Sequence, residues 1–407
     1  MKKSFIQASV INLSLVVLLV LGSLLSGCSG GQSSPGKESG AVKATLSTIK
    51  IGAAGPFSGQ LSKIGLDSLN AIKMAVDEVN QAGGIGGRQV EVVVGDDGAD
   101  PARALTVAEK FAADPALVGV IGPMNSDAVN AALPVYERNG LVVISQSATN
   151  PKLTQQGYKV MHRICPRDDD QGPAAALFIA QDLKAQRVYI LDDKGIYGQG
   201  LADQVEKKLK ELGMSQVQRG QVSPDDRDFA AILLRIRQAN PDLLFLALPN
   251  PAQAANLVRQ ARSAGLKFQV MGGDGLKEKD QLIKASGGTA EGMYVTSIGP
   301  SLELIPEAKN FVKAFEGKYG AMSIFSGQSY EATRVLLDAI KKSIQAGGKV
   351  SRADVLAAVH NTRDYRGILG FPIGFTDKGD LLGGTIYVLQ VKGDDFVQVK
   401  TVSAGGK

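Results

Sequence analysis

The chain has 407 residues, 44% hydrophobic and 21% charged, with 45 Lys and Arg against 40 Asp and Glu for a formal net charge of +5. A balance this near neutral, without a clustered basic patch, argues against a nucleic-acid surface, and the length predicts two domains. Two histidines, His162 and His360, and two cysteines, Cys28 and Cys165, leave a His-based metal site or a Ser–His catalytic arrangement poorly supplied; with no G-x-S-x-G, C-x-x-C, H-E-x-x-H or P-loop motif, neither an enzyme nor a cofactor or metal is expected.

Lys2 and Lys3 precede an almost wholly apolar, uncharged run from Val10 to Leu25, which reads as the h-region of an export signal. The other reading is a buried or spanning helix. A spanning helix wants about 18 or more consecutive apolar residues, and Asn12, Ser14 and Gly22 interrupt this run. Leu25-Ser26-Gly27-Cys28 resembles the bacterial lipobox, in which cleavage before the cysteine is followed by lipidation of its thiol; an ordinary cleavage site with a chance cysteine is the alternative. Residues 1–27 are therefore expected to be a lipoprotein signal peptide, and Cys28 to carry lipid. Residues 28–47, rich in Gly, Ser, Lys and Ala, are expected to form a flexible tether. Cys165 then has no cysteine left to bridge with, and is expected to be a small buried apolar residue.

From Thr48 strands and helices alternate. "IKIGAAGPFSG" begins as a strand and ends in Gly and Pro, and "LDSLNAIKMAVDEVNQAGG" carries apolar residues at helical spacing. "RQVEVVVGDD" reads as a strand, and "DPARALTVAEKFAAD" as a helix with Asp100 at its N-cap and Pro101 in its first turn. "LVGVIGPM", "SDAVNAALPVYERNG" and "LVVISQSAT" follow as strand, helix and strand. The rhythm restarts with a helix at 168–186 and a strand "RVYILDD". It goes on with a helix "GQGLADQVEKKLKELG", a strand and turn "SQVQRGQVSPDD", a helix at 227–242, a strand "LLFLALPN", a helix at 251–265 and a strand "FQVMGGDG". Such alternation implies α/β architecture with a parallel sheet covered on both faces, and its restart predicts two similar lobes. The glycines of "AGGIGGRQ" lie between a helix and a strand, the reverse of a dinucleotide loop, so they end the helix and turn the chain. Beyond Pro300 the order is less regular, with helices predicted at 306–319, 327–345 and 351–360 and a last strand in "GGTIYVLQVKGD". No further segment is apolar enough to span a membrane.

Ligands of open parallel sheets sit beyond the carboxyl ends of strands. Ser126 and Asp127 stand at one such end, where a helix begins. Two readings stand there: plain capping, or free backbone N–H groups and a helix dipole that favour a carboxylate. Ser147 and Thr149, with the backbone through Ala148, offer polar groups at the next strand end. Tyr197 falls on a strand-to-helix loop, and Asp274 lies between glycines, as a turn residue or as an acid facing the cleft. An anion-friendly helix start opposite an acid would suit a zwitterion.

Taken together, "GPFSGQLSKIG", "AVDEVNQAGGIGGRQVEVVVGDDGADP", "VIGPMNSDAV", "ISQSATNPKLT", "DDDQGPAAA", "DDKGIYGQGL", "RQARSAGLKFQVMGGDG", "AEGMYVT" and "FTDKGDL" give the chain from about Ile49 to Lys400 its family likeness. It resembles the branched-chain amino-acid (Leu/Ile/Val-type) substrate-binding proteins of bacterial ABC transporters, of the type I periplasmic-binding-protein fold. That resemblance implies two α/β lobes joined by a three-crossover hinge that closes on its ligand. It implies lobe 1 at 48–167 and 298–376, and lobe 2 at 168–297 and 377–407, the last piece including the tail. It further implies that Ser126 and Thr149 hold a ligand α-carboxylate, that Ser147 and Thr149 help hold the ammonium, that Asp274 pairs with the ammonium, and that Tyr197 enters from the second lobe. Ile64, Asn125, Pro249 and Tyr330 are expected in the pocket wall. Ile64 stands in the place of a pocket tyrosine, Pro249 falls near another, and Asp274 replaces a glutamate. Ala99 and Asn125 occupy the places of two disulfide cysteines. The implied protein is an exported monomer, lipid-anchored and facing the periplasm or the cell exterior. It would bind an amino acid or related small carboxylate and deliver it to an ABC permease. A sensor of the same fold, or less readily an enzyme, is the alternative.

Overall fold

The computed structural model describes residues 48–347 and 349–403. The expectations for the signal peptide, Cys28 and the tether fall on residues outside that range. One sheet holds β1 (Ile49–Gly55), β2 (Val90–Asp96), β3 (Leu117–Ile121), β4 (Val142–Ser145) and β5 (Met161–Arg163), in the order β2-β1-β3-β4-β5 and all parallel. Between these strands run α1 (Ser62–Gln81), α2 (Pro101–Ala113) and α3 (Ser126–Arg138). Asp100 caps α2 by accepting from the Arg103 amide at 2.8 Å, with Pro101 in the first turn. At the end of α1 the chain turns through Gly84 at φ +77°, where a Cβ would lie 2.1 Å from the Arg88 carbonyl oxygen, so only glycine fits.

The second sheet holds β6 (Arg187–Asp192), β7 (Gln216–Gln221), β8 (Leu243–Ala247), β9 (Gln269–Gly272), β10 (Tyr294–Ser297), β11 (Thr385–Lys392) and β12 (Asp395–Ser403), in the order β12-β11-β10-β9-β8-β6-β7. Four helices, α4 (Asp168–Leu177), α5 (Ile196–Glu211), α6 (Ala230–Ala239) and α7 (Pro251–Ser263), belong to this half. The chain then returns to the first sheet through α8 (Lys309–Tyr319), α9 (Ser326–Gly347) and α10 (Arg352–His360), whose apolar faces share a core with β1 and α1. It thus passes between the two sheets three times, at 164–167, 298–308 and 361–384. β3, β4 and β8 are buried at every residue, as central strands covered on both faces should be.

Three strands depart from the sequence reading. β5 has three residues and carries a buried arginine. β10 has four. β12 returns from β11 as an antiparallel hairpin, so the second sheet is mixed. The helix expected over 168–186 is α4 followed by one wide turn at Phe178–Asp182. Cys165 is wholly buried, and burial pushes its thiol well up from the ordinary range.

At the first and third crossings a buried ion pair joins the segments. The Arg163 side chain is 0% exposed, and its Nε lies 2.9 Å from Asp380 Oδ1. Its Nη1 donates to the carbonyls of Ala148 and Asn150 at 2.7 and 3.0 Å, and its Nη2 to Thr154 Oγ1 at 2.9 Å. Arg167 Nη1 takes the other Asp380 oxygen at 2.9 Å.

Glu331 on α9 is a second buried acid, 0% exposed, with Oε2 accepting from the Ile368 amide at 3.0 Å and no partner on Oε1. Burial pushes its carboxyl up to about 7. An acid raised on folding favours the unfolded state as pH climbs from its unfolded value of about 4.5 to its folded one, by about 3 kcal/mol in all. Stability measured by urea unfolding should therefore fall between about pH 4.5 and pH 7, and Glu331→Gln should remove about 3 kcal/mol of that fall, Asp97 and Asp193, each raised by burial to about 6, supplying more of it. An unaltered pH profile in the variant would show that Glu331 is not its source.

Candidate functional site

The segments that follow the carboxyl ends of β1, β3 and β4 face those that follow β6, β8 and β9 across one cavity. It measures about 40 Å³, counted as room for the centres of water-sized spheres. One water needs about 10–15 Å³ by that measure, so the space is of the size of a small solute. From the first sheet come Asn125, Ser126, Ser147 and Ile64, with Pro56, Leu61 and Met124. From the second come Tyr197, Pro249, Asp274 and Gly275. Phe325, in the loop before α9, closes the wall.

On the first-sheet side, α3 begins at Ser126 with no side-chain cap. Neither candidate caps its own helix: Ser126 Oγ accepts from the Asn150 amide at 3.3 Å, and the Asp127 carboxylate reaches across the cleft to α5. The plain-capping reading is thereby set aside, and the first amides of α3 stay free beside the cavity. Ser147 Oγ donates to the Met124 carbonyl at 3.0 Å, which ties the two loops together. Ala148 and Thr149 do not line the cavity. They lie one layer behind it, the Ala148 carbonyl engaged by Arg163 and the Thr149 hydroxyl set against the Asp168 carboxyl.

On the second-sheet side, Asp274 is 3% exposed. Its Oδ1 accepts from the Tyr197 hydroxyl at 2.8 Å and from Gln171 Nε2 at 2.9 Å, and the Asp274 and Gly275 amides also favour its charged form. A Cβ at Gly273 would stand 2.5 Å from the Tyr197 hydroxyl oxygen, so the glycine beside Asp274 is what permits this approach. Burial raises the Asp274 carboxyl, opposed by the hydrogen bonds from Gln171 and Tyr197. Burial and the Asp274 charge push the Tyr197 phenol well up, so it stays a donor. Tyr197 sits in the first turn of α5 rather than on the preceding loop.

Tyr330 corrects the sequence expectation. It lies on α9, turned away from the cavity, with its hydroxyl 2.6 Å from Glu78 Oε2 and its ring 4.5 Å from that of Phe311. The aromatic that α9 offers the cavity is Phe325, which precedes the helix at φ +67°. No periodicity marks such a loop residue. Pro56 and Leu61 belong to a glycine-rich strand end that does point to a ligand loop, and were reachable by that signal.

The halves are also bonded directly. Asp127 Oδ1 accepts from the Ile196 amide at 2.8 Å, and Asn150 Nδ2 donates to the Ile196 carbonyl at 2.7 Å. Gln60 Oε1 accepts from Asn250 Nδ2 at 2.5 Å. These are the contacts of a closed cleft. Asp127→Ala should leave the fold intact and weaken ligand binding by roughly 2- to 30-fold, the 0.5–2 kcal/mol of a helix cap. Titration calorimetry of the variant checks this, and unchanged affinity would remove Asp127 from the latch.

Comparison with known proteins agrees with this architecture. The family model described as periplasmic binding protein matches residues 48–395. The Leu/Ile/Val-binding protein homolog 1 of Brucella suis is 34% identical over 348 residues, 85% of this chain and 91% of that one. The solved leucine-binding protein LivK of Thermotoga maritima superposes with a TM-score of 0.80 at 28% identity, covering 87% of this chain and 99% of that one. The branched-chain amino-acid substrate-binding protein LivJ of Streptococcus pneumoniae, solved with isoleucine, gives a TM-score of 0.77 at 26% identity, covering 88% and 100%. The family is one of extracytoplasmic solute-binding proteins rather than enzymes. The chain belongs to the periplasmic binding protein family, in its type I, Leu/Ile/Val-binding branch.

Proposed function

We propose that this protein captures an amino acid, of branched-chain type or a related small carboxylate, in the cavity between its lobes, and hands it to the permease of an ABC importer. The observation that carries this reading is that the buried Asp274 carboxyl and the uncapped start of α3 at Ser126 stand in opposite walls of one cavity. A carboxylate suits the helix start, and an ammonium suits the acid. Ile64, Leu61, Met124 and Phe325 leave an apolar space between them for an aliphatic side chain.

In this reading lobe 1 comprises 48–167 and 298–376, and lobe 2 comprises 168–297 and 377–403 with the tail beyond. The three crossings act as the hinge, and lipid on Cys28 keeps the body at the membrane. Binding by a single chain suffices, since both walls of the cavity come from it. Titration calorimetry of the purified protein against the twenty amino acids, benzoate and a short fatty acid tests the reading. Saturable binding of an aliphatic amino acid at micromolar concentration is expected. Binding of none of these ligands would overturn it, and binding of the plain carboxylates alone would move the ligand from amino acid to small carboxylate.

A further inference from the structure

Behind Asp274 lies a second carboxylate that neither the sequence reading nor the cavity wall singles out. Asp168, at the start of α4, is 0% exposed. Its Oδ1 accepts from Gln171 Nε2 at 3.2 Å, and the same nitrogen donates to Asp274 Oδ1 at 2.9 Å. One side-chain amide therefore bridges two buried acids. Gln171 is itself held, its Oε1 accepting from the Asp274 amide at 3.0 Å and from the Thr296 hydroxyl at 2.5 Å. The Thr149 hydroxyl lies near the Asp168 carboxyl, whose Oδ2 is buried without a hydrogen-bond partner.

Among the described residues no cation bonds to either acid. Arg163, from β5, is the one positive group facing the Asp168 carboxyl, and its nitrogens are committed to Asp380, Ala148, Asn150 and Thr154. Asp169 on α4 adds a negative charge nearby. Tyr197 from α5 and the thiol of Cys165 stay neutral because burial pushes both well up, and Lys277, Glu278 and Lys279 line the adjoining pocket with Asp274 without bonding to it. Two carboxylates sharing a dry site do not both ionise without a counter-charge. Their donors here are the Gln171 amide, backbone amides and a phenol, all uncharged. The ammonium of an amino acid would bring the missing positive charge, with three donors.

Building on the amino-acid reading above, we propose that Asp168 and Asp274 form one cation-binding unit, which holds a proton while the cavity is empty and releases it when the ligand's ammonium arrives. A carboxylic acid becomes a carboxylate and its proton passes to solvent, so capture of a zwitterion expels a proton. Capture of a plain carboxylate, which brings no cation, keeps it. The pair would thus select for ligands with a charged nitrogen, and Asp168 would set that specificity from the layer behind the cavity.

The test is titration of L-leucine into ligand-stripped protein at neutral pH in phosphate, HEPES and Tris, whose ionisation heats differ, and again at one unit lower pH. The apparent heat should vary between buffers as release of half to one proton per leucine requires, and the Kd should rise by up to about tenfold per unit fall in pH. Asp168→Asn should still bind leucine, more weakly, with most of the buffer dependence gone. Equal heats for the wild-type protein in all three buffers would overturn the exchange whatever the variant does. So would a folded Asp168→Asn that releases as many protons as the wild type. If leucine does not bind, the other nineteen amino acids are taken through the same buffers, and failure of all of them overturns the amino-acid reading and the exchange with it.

Discussion

Replacing Asp274 by Ala is expected to weaken amino-acid binding by about 2–5 kcal/mol, roughly 30- to several thousand-fold in Kd, as read by titration calorimetry. Asp274 is the acid in the cavity wall, and Tyr197 and Gln171 already fix its orientation through Oδ1. A ligand ammonium that leaves water for this site and finds no carboxylate loses its hydration without recompense. Asp274→Asn separates charge from geometry. Its amide oxygen can still accept from Tyr197, yet it carries no charge, so its affinity should lie between those of the wild-type and Ala proteins. An Asn variant that binds as tightly as the wild type would show that no ion pair forms there.

Asp380→Ala should cost about 3–5 kcal/mol of stability, because it strands a buried charge. Arg163 is wholly buried and its Nε faces only Asp380, so the guanidinium has no water to turn to once the carboxylate is gone. Arg167 loses a partner as well, although Asp169 still holds its other end at 2.7 Å. Urea unfolding monitored by circular dichroism reads the loss. Pairing the change with Arg163→Met should restore part of it, since removing both charges leaves no orphan. A double variant less stable than Asp380→Ala would show that the arginine's carbonyl contacts at Ala148 and Asn150 matter more than its charge.

The parallel rhythm of the two lobes is legible in the sequence because central strands such as "LVGVI" and "LLFLA" are apolar throughout and end in Gly, Pro or Asn. The cavity's polar groups are legible for the same reason: Ser126, Ser147, Tyr197 and Asp274 all follow strands of that kind. β5 is not legible, since "MHR" is short and two-thirds polar, and its arginine is buried only through Asp380, more than two hundred residues later. β12 alternates polar and apolar residues on an exposed edge, with Val397 and Val399 each 40% exposed, and no run marks it. Asp168 hides in "DDDQGP", where three acids in a first helical turn look like ordinary dipole partners. Tyr330 misleads because a tyrosine near a helix start suits a pocket as well as a core, and only the neighbouring Glu78 and Phe311 decide between them.

The Ile196 amide is an orphan donor at the start of α5, and its acceptor belongs to the other lobe. Later amides of that helix find their partners within it or at its cap, whatever the lobes do. Opening the cleft therefore strips protection from this amide while leaving the body of α5 protected. Its hydrogen exchange, set against that of residues a turn or two further on, is a clock for opening that needs no label and no ligand. In ligand-free protein its protection factor would count how often the trap springs open, and with ligand bound it would report how long the occupant is held.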